Sequence, residues 1–115
     1  MSSDQEQSQT GKLVSQLLQT DANLRDIVEE FVNHLAGRLT EFRRAYEKLD
    51  WDQLTMLAHR LKGAAGSYGY PEISQVCATM ERNFLSHQAD AFAAWIAELE
   101  RLVDGARRGL TPIEP

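Results

Sequence analysis

The spacing of apolar residues constrains this fold more than any other feature of the sequence. Between residues 24 and 49, large apolar side chains recur mostly at steps of three and four, which is the period of one buried face of an α-helix. The pattern predicts a helix over about residues 23–49 that continues through Gly37. Its expected buried stripe consists of Leu24, Ile27, Val28, Phe31, Leu35, Leu39, Phe42, Tyr46 and Leu49.

A second helix is predicted to begin after Asp50, which can cap it, and Gln53 completes a pattern similar to a capping box. Gly66 and Gly69 lie close together in the sequence, so this helix should end near them. Its expected inward residues are Leu54, Leu57, Ala58, Leu61 and Ala65.

Two more helices follow. Pro71 favours the first turn of the third, and Gly109 and Pro112 end a fourth that starts near residues 88–90. The expected buried row of the third is Ile73, Val76, Cys77, Met80 and Phe84. That of the fourth is Phe92, Trp95, Ile96, Leu99, Leu102, Val103 and Ala106.

Four amphipathic helices with short links predict an all-α fold, an antiparallel up-down-up-down four-helix bundle. Residues 12–19 can add a short extra N-terminal helix that ends at Thr20, and Asp21 can cap the next helix. We expect residues 11–109 to form the bundle, residues 1–10 to be a disordered lead-in and residues 110–115 to be a C-terminal tail.

Charge and composition restrict the possible partners. The 115-residue chain has a formal net charge of −5 and one cysteine, Cys77. An acidic chain is a poor ligand for nucleic acid, and three scattered histidines with one core cysteine do not suggest a metal site. No apolar run approaches the roughly 18–20 residues of a membrane span. We therefore expect a cytoplasmic monomer with no nucleic-acid or membrane partner and no cofactor.

The outer face of the second helix is unusual. At about 100° per residue, His59 falls well away from the inward row, next to Lys62 and Gly63. An interior glycine weakens a helix by about 1 kcal/mol relative to alanine, but it leaves the imidazole accessible. An accessible imidazole, a nearby cation and a bare patch suit a phosphoryl acceptor. The alternative is an ordinary surface histidine and lysine on a helix that tolerates glycine.

The residues around His59 resemble the signature of histidine-containing phosphotransfer (HPt) domains. The family pattern is a histidine, any residue, leucine, lysine, glycine, two small residues and a later glycine. The matching run here is Ala58-His59-Arg60-Leu61-Lys62-Gly63-Ala64-Ala65, followed by Gly69. Cys77 and the Met80-Glu81 pair also fall at family-like positions, and the likeness extends over residues 24–108. Ala64 and Ala65 occupy positions where the family often has serine, so a hydroxyl near the phosphoryl group is missing.

The resemblance implies a phosphorelay carrier in two-component signalling that has no nucleotide or metal site of its own and is not itself an enzyme. His59 would accept a phosphoryl group from a receiver-domain aspartate and pass it to another receiver, and the receiver would bring Mg²⁺. Lys62 would balance phosphoryl charge, Gly63 would give clearance and Gly69 would shape the turn. By family analogy Glu81 would hydrogen-bond the inner nitrogen of His59, although it could equally be a solvated glutamate.

The expected partners are receiver (response-regulator) domains, and a hybrid sensor kinase is a further candidate. Thr55, Met56, Gly66 and Tyr68 are candidate docking residues, and Val32 is another. Two alternatives remain open: a histidine-bearing domain that is phosphorylated by a separate kinase ATP-binding domain, and an inert helical adaptor. Gly63 beside the exposed His59 discriminates between these alternatives, because an inert adaptor has no need of a glycine at that position.

Overall fold

The computed structural model describes residues 12–110, and all regular structure in that range is helical, as predicted. Helix α1 is Gln16–Thr20, and a 3-10 turn follows at Ala22–Leu24. The four longer helices are α2 (Arg25–Glu47), α3 (Trp51–Ser67), α4 (Pro71–Leu85) and α5 (Phe92–Leu110). The predicted lead-in lies outside the described residues, as does the tail beyond Leu110, which is itself the buried last residue of α5.

The four long helices enclose one core. Helix α3 packs most extensively on α4, α2 contacts both α3 and α5, and α4 also contacts α5. All four long helices and the α3–α4 turn contribute large, fully buried side chains, and Tyr70, Phe42 and Phe84 are the largest. Each side of the core is therefore closed by a pair of neighbouring helices.

Helix α2 is shorter than the predicted 23–49, and the predicted stripe was wrong at three positions. Ile27, Tyr46 and Leu49 are 46%, 37% and 55% exposed. Ile27 is rotated about 100° from the buried Val28, and Leu49 lies beyond the helix with a positive φ of 48°. Tyr46 stacks on Phe92 at the end of the helix, with ring centroids 3.9 Å apart.

Helix α3 matches its prediction closely. The Asp50 carboxylate accepts a hydrogen bond from the Gln53 backbone N–H and caps the helix. The backbone N–H of Asp50 itself donates to the Ala45 carbonyl, so the pattern is a simple N-cap. All five predicted inward residues of α3 are buried.

The chain before α1 crosses the end of the bundle. The backbone N–H of Leu13 donates to the Gly105 carbonyl of α5, and that of Gln16 donates to the Gly69 carbonyl. Ser15 is buried, caps α1 through Leu17 N–H and Leu18 N–H, and donates its hydroxyl to the Tyr68 carbonyl. Residues 13–18, which we call the strap, thereby tie α5 to the α3–α4 turn.

Candidate functional site

His59 projects from α3 on the side opposite its buried row. Burial of Leu54, Ala58 and Ala65 fixes the rotation of α3 about its axis. His59 therefore faces outward, and its side chain is 66% exposed. The packing of the core thus decides that this imidazole is accessible to another molecule.

Glu81 of α4 bridges His59 and Lys62. One carboxylate oxygen, Oε2, lies 2.9 Å from His59 Nδ1, and the other, Oε1, lies 2.7 Å from Lys62 Nζ. The Glu81 side chain is only 16% exposed. The contact that the family resemblance implied is therefore present in the geometry, and Lys62 shares it.

The carboxylate of Glu81 is held in its ionised form. The hydrogen bond from Lys62 lowers the pKa of Glu81 most, partial burial opposes it, and the hydrogen bond with His59 lowers the pKa further. An ionised carboxylate can only accept hydrogen bonds, so this contact requires a proton on Nδ1 of His59. In the neutral ring, the outer nitrogen Nε2 then keeps its lone pair and faces away from the carboxylate.

The ammonium of Lys62 contacts the Glu81 carboxylate. Its side chain is 36% exposed, and its ammonium forms an ion pair with Glu81. From the sequence, this charge was predicted to balance the charge of a phosphoryl group on His59. In the structure, the Lys62 ammonium contacts one oxygen of Glu81, and the other oxygen contacts the imidazole.

The two glycines on the outer face of α3 have room for a side chain. A Cβ added at Gly63 would meet no atom within 4 Å, and one at Gly66 would lie 3.7 Å from Ser74 Oγ, an ordinary contact. Both residues are helical and exposed. Since packing does not require glycine at either position, the clearance serves no contact within the described residues.

The candidate docking residues do not all share one surface. Thr55 and Met56 are partly buried residues of α3 that precede His59, and Gly66 is exposed. Tyr68 instead stacks on Phe31 of α2 and lines a groove of about 470 Å³ between α2 and α3, on the opposite flank of α3 from Glu81. Val32 is 1% exposed and belongs to the core, so its assignment to a surface was wrong.

Sequence reasoning missed Ser74 of α4. Its hydroxyl donates to the Lys62 backbone carbonyl at 2.9 Å, one helical turn from His59. Ser74 precedes Glu81 by seven residues, and that spacing places the two on one row of α4. The spacing was visible in the sequence, but the partner on α3 was not.

A search of protein families decides the assignment. The model of the Hpt domain matches residues 26–109, which is most of the chain. The chain belongs to the Hpt domain family. Searches of curated proteins and of solved structures found no match.

Membership in the Hpt family establishes the general role. Hpt domains take part in phosphotransfer in two-component and phosphorelay signalling, where they interact with receiver domains. They carry phosphoryl groups and are not catalytic enzymes in themselves. Within residues 12–110, no group of three or more potential ligands could hold a metal ion, and no helix is long and apolar enough to cross a membrane.

Proposed function

We propose that this Hpt domain is a phosphorelay carrier that accepts a phosphoryl group on Nε2 of His59 from a receiver-domain aspartyl phosphate and passes it to a second receiver. The observation that carries the proposal is the hydrogen bond between His59 Nδ1 and the ionised Glu81 carboxylate. In the neutral ring, it leaves a nucleophilic lone pair on the outer nitrogen of a side chain that is 66% exposed.

The transfer is balanced without any loss of a proton. The Nε2 lone pair forms the N–P bond as the P–O bond to the receiver aspartate breaks, and the aspartate leaves as a free carboxylate. The ring keeps its Nδ1 proton and gains positive charge. Glu81 stabilises that charge through the hydrogen bond at Nδ1, because charge-assisted hydrogen bonds are stronger than neutral ones. Transfer to the next receiver reverses these steps.

Lys62 has two roles in this proposal. Its ion pair with Oε1 keeps Glu81 ionised and orients its other oxygen towards the imidazole. Its positive charge also lies one helical turn from His59, where it offsets the negative charge of a phosphoryl group. Both roles depend on a compact ammonium at the end of a long side chain.

Gly63 and Gly66 provide the clearance that a receiver needs. A receiver aspartate must come close enough for its phosphoryl group to contact Nε2, and the atoms around that aspartate must fit beside α3. The open space at Gly63 and the missing side chain at Gly66 permit this approach. Thr55 and Met56, on the N-terminal side of His59, would contact the same receiver.

Tyr68 would contribute to docking from a different direction. With Phe31 and the 46% exposed Ile27, it forms an apolar part of the α2–α3 groove. Arg60, the residue after His59, lies on the rim of this groove. A receiver seated over His59 could extend into it along the α2 side of α3.

The proposal also includes the direction of the helices, the bounds of the domain and its monomeric state. Short connections of residues 48–50 and 68–70 and a longer one of residues 86–91 support the antiparallel up-down-up-down order, because short links favour antiparallel neighbours. We propose a bundle domain over residues 11–109 that acts as a cytoplasmic monomer, with partner receivers in the same compartment.

The test compares two exposed histidines. His34 is exposed on α2, and its Nδ1 lies 2.7 Å from the Glu30 carbonyl rather than from a carboxylate. With a ³²P-labelled receiver as donor, His59→Gln should accept no label, and His34→Gln should be labelled as the wild type is. Circular dichroism should show the same helical content in all three proteins. Label retained in a folded His59→Gln protein would contradict the site assignment.

A further inference from the structure

The polar contacts between α3 and α4 all converge on one short stretch of α3. Across the described part of these two helices, three polar side-chain contacts join them: Glu81 with His59, Glu81 with Lys62, and Ser74 with the Lys62 carbonyl. Lys62 is thus bound to α4 at both ends, by its backbone carbonyl and by its side-chain ammonium.

The bond from Ser74 is not the one that a helical serine forms by default. A serine inside a helix usually donates to a carbonyl of its own preceding turn, as Thr20 and Thr40 do. The hydroxyl of Ser74 instead crosses to α3, where the Lys62 carbonyl has a second lone pair available. Ser74 is only partly exposed, so water competes poorly for this bond.

The position of this bond relates it to His59. Seven residues separate Ser74 from Glu81, which amounts to about 10 Å along α4 and nearly two full turns. Apolar side chains slide past one another at little cost, whereas a hydrogen bond to one carbonyl fixes both the height and the rotation of α4 against α3. A shift of about 1 Å would take Glu81 Oε2 out of hydrogen-bond distance of Nδ1.

We infer that Ser74 is a positioning residue, whose hydroxyl clamps α4 to the Lys62 carbonyl and thereby sets the register in which Glu81 reaches His59 and Lys62 together. The inference rests on the proposed function for its effect on transfer, but its effect on the His59 ring can be measured without any transfer.

The test uses two variants of nearly the same shape. Ser74→Thr keeps the hydroxyl and Ser74→Val lacks it, so any difference between them reports the hydrogen bond rather than bulk. Asn83→Ala is the control, because Asn83 Nδ2 donates to the Thr79 carbonyl within α4 itself. The readouts are the ¹⁵N chemical shifts of the His59 ring over a pH titration and the transfer kinetics from a phosphorylated receiver.

We expect Ser74→Val to move the His59 ring shifts away from those of a purely Nδ1-protonated ring. Its transfer rate at saturating receiver should fall about fivefold with KM unchanged, since a small misplacement lowers the rate of a positioned reaction. Ser74→Thr and Asn83→Ala should keep the wild-type shifts and rate.

Wild-type ring shifts and rate in a folded Ser74→Val protein would overturn the clamp. So would equal changes in the Thr and Val variants, because bulk and not the hydroxyl would then be responsible. The two proposals can fail separately. If the wild type accepts no phosphoryl group, but Ser74→Val alone changes the chemical shifts of the His59 ring, the proposed function is wrong and the positioning role of Ser74 is supported.

Discussion

On the outer face of α3, a Cβ added at Gly63 would meet no atom within 4 Å. At the α3–α4 turn, a Cβ at Gly69 would lie 2.4 Å from the Leu17 backbone nitrogen, and on α5 one at Gly109 would lie 2.2 Å from the Leu13 carbonyl oxygen. Gly69 also has a φ of +86°. The strap fills the space at these two glycines, whereas nothing in the described residues fills the space at Gly63. The fold therefore requires glycine at positions 69 and 109, whereas the proposed contact with a receiver explains the glycine at position 63.

The largest expected effect is at the strap. Gly69→Ala should lower the free energy of unfolding by about 3 kcal/mol, because a Cβ is unfavourable at positive φ and would also collide with the strap backbone. Urea unfolding measures this change. Gly63→Ala is the matched control and should keep or raise the stability, by about 1 kcal/mol at most. Equal losses in both variants would remove the distinction between the two regions.

The second prediction concerns Gly63, where we expect a substitution to affect transfer rather than stability. Gly63→Glu should lower phosphoryl transfer from a receiver at least about 100-fold, because its side chain and negative charge occupy the approach to His59. The helix should remain as stable as in the wild type. Gly37 is an exposed glycine of α2 that also has no atom within 4 Å of an added Cβ, so Gly37→Glu should transfer normally. Unchanged transfer in Gly63→Glu would contradict the clearance role.

The third prediction concerns the pH dependence of the Glu81 contacts. The pKa of Glu81 in the folded protein is lower than its ordinary value, chiefly because of the hydrogen bond from Lys62. The ionised Glu81 carboxylate therefore stabilises the folded protein fully above the ordinary glutamate pKa of about 4.3. This stabilisation is lost as the pH falls through the lowered pKa of the folded state. We expect the Tm of the wild type to fall more steeply below about pH 4.3 than that of Glu81→Gln. Parallel curves for the two proteins would argue against the ion pair with Lys62.

The smallest expected effect lies in the core near the strap. The hydroxyl of Tyr70 is buried without a hydrogen-bond partner among residues 12–110. Burial raises the pKa of Tyr70 to about 12, and the positive charge of Arg25 opposes part of the shift. Tyr70→Phe removes a buried polar group that has no partner, so the free energy of unfolding should stay the same or rise by up to about 1 kcal/mol. A loss of more than 1 kcal/mol would reveal a partner for this hydroxyl.

The spacing of apolar residues correctly predicted those features that depend on one helix alone. The five inward residues of α3 and the outward direction of His59 follow from the rotation of one helix about its axis, and the Asp50 cap follows from the residue at its N-terminus. Ile27 and Leu49 were misjudged because the end of a helix and the edge of its stripe depend on neighbouring elements. The same limit explains why Tyr68 was grouped with the residues around His59, although it lies on the α2 flank of α3.

The spacing of apolar residues could not predict which side chains and backbone groups of different helices contact each other. Glu81 was found through the family resemblance, whereas its ion pair with Lys62 was not foreseen. Ser74 gave no signal, because its partner is a backbone carbonyl that every residue possesses. The strap was missed for the same reason, since Leu13 and Gln16 bind through their backbone N–H groups.

The most direct test of the central claim is to incubate the wild-type protein with a receiver domain that carries a labelled aspartyl phosphate. If His59 is the phosphoryl acceptor, the label will appear on this chain in a form that is labile in acid and stable in base, as expected of a phosphohistidine. It will map to the peptide that contains His59. A folded protein that takes up no label from any receiver, or that carries it on another residue, would contradict the account.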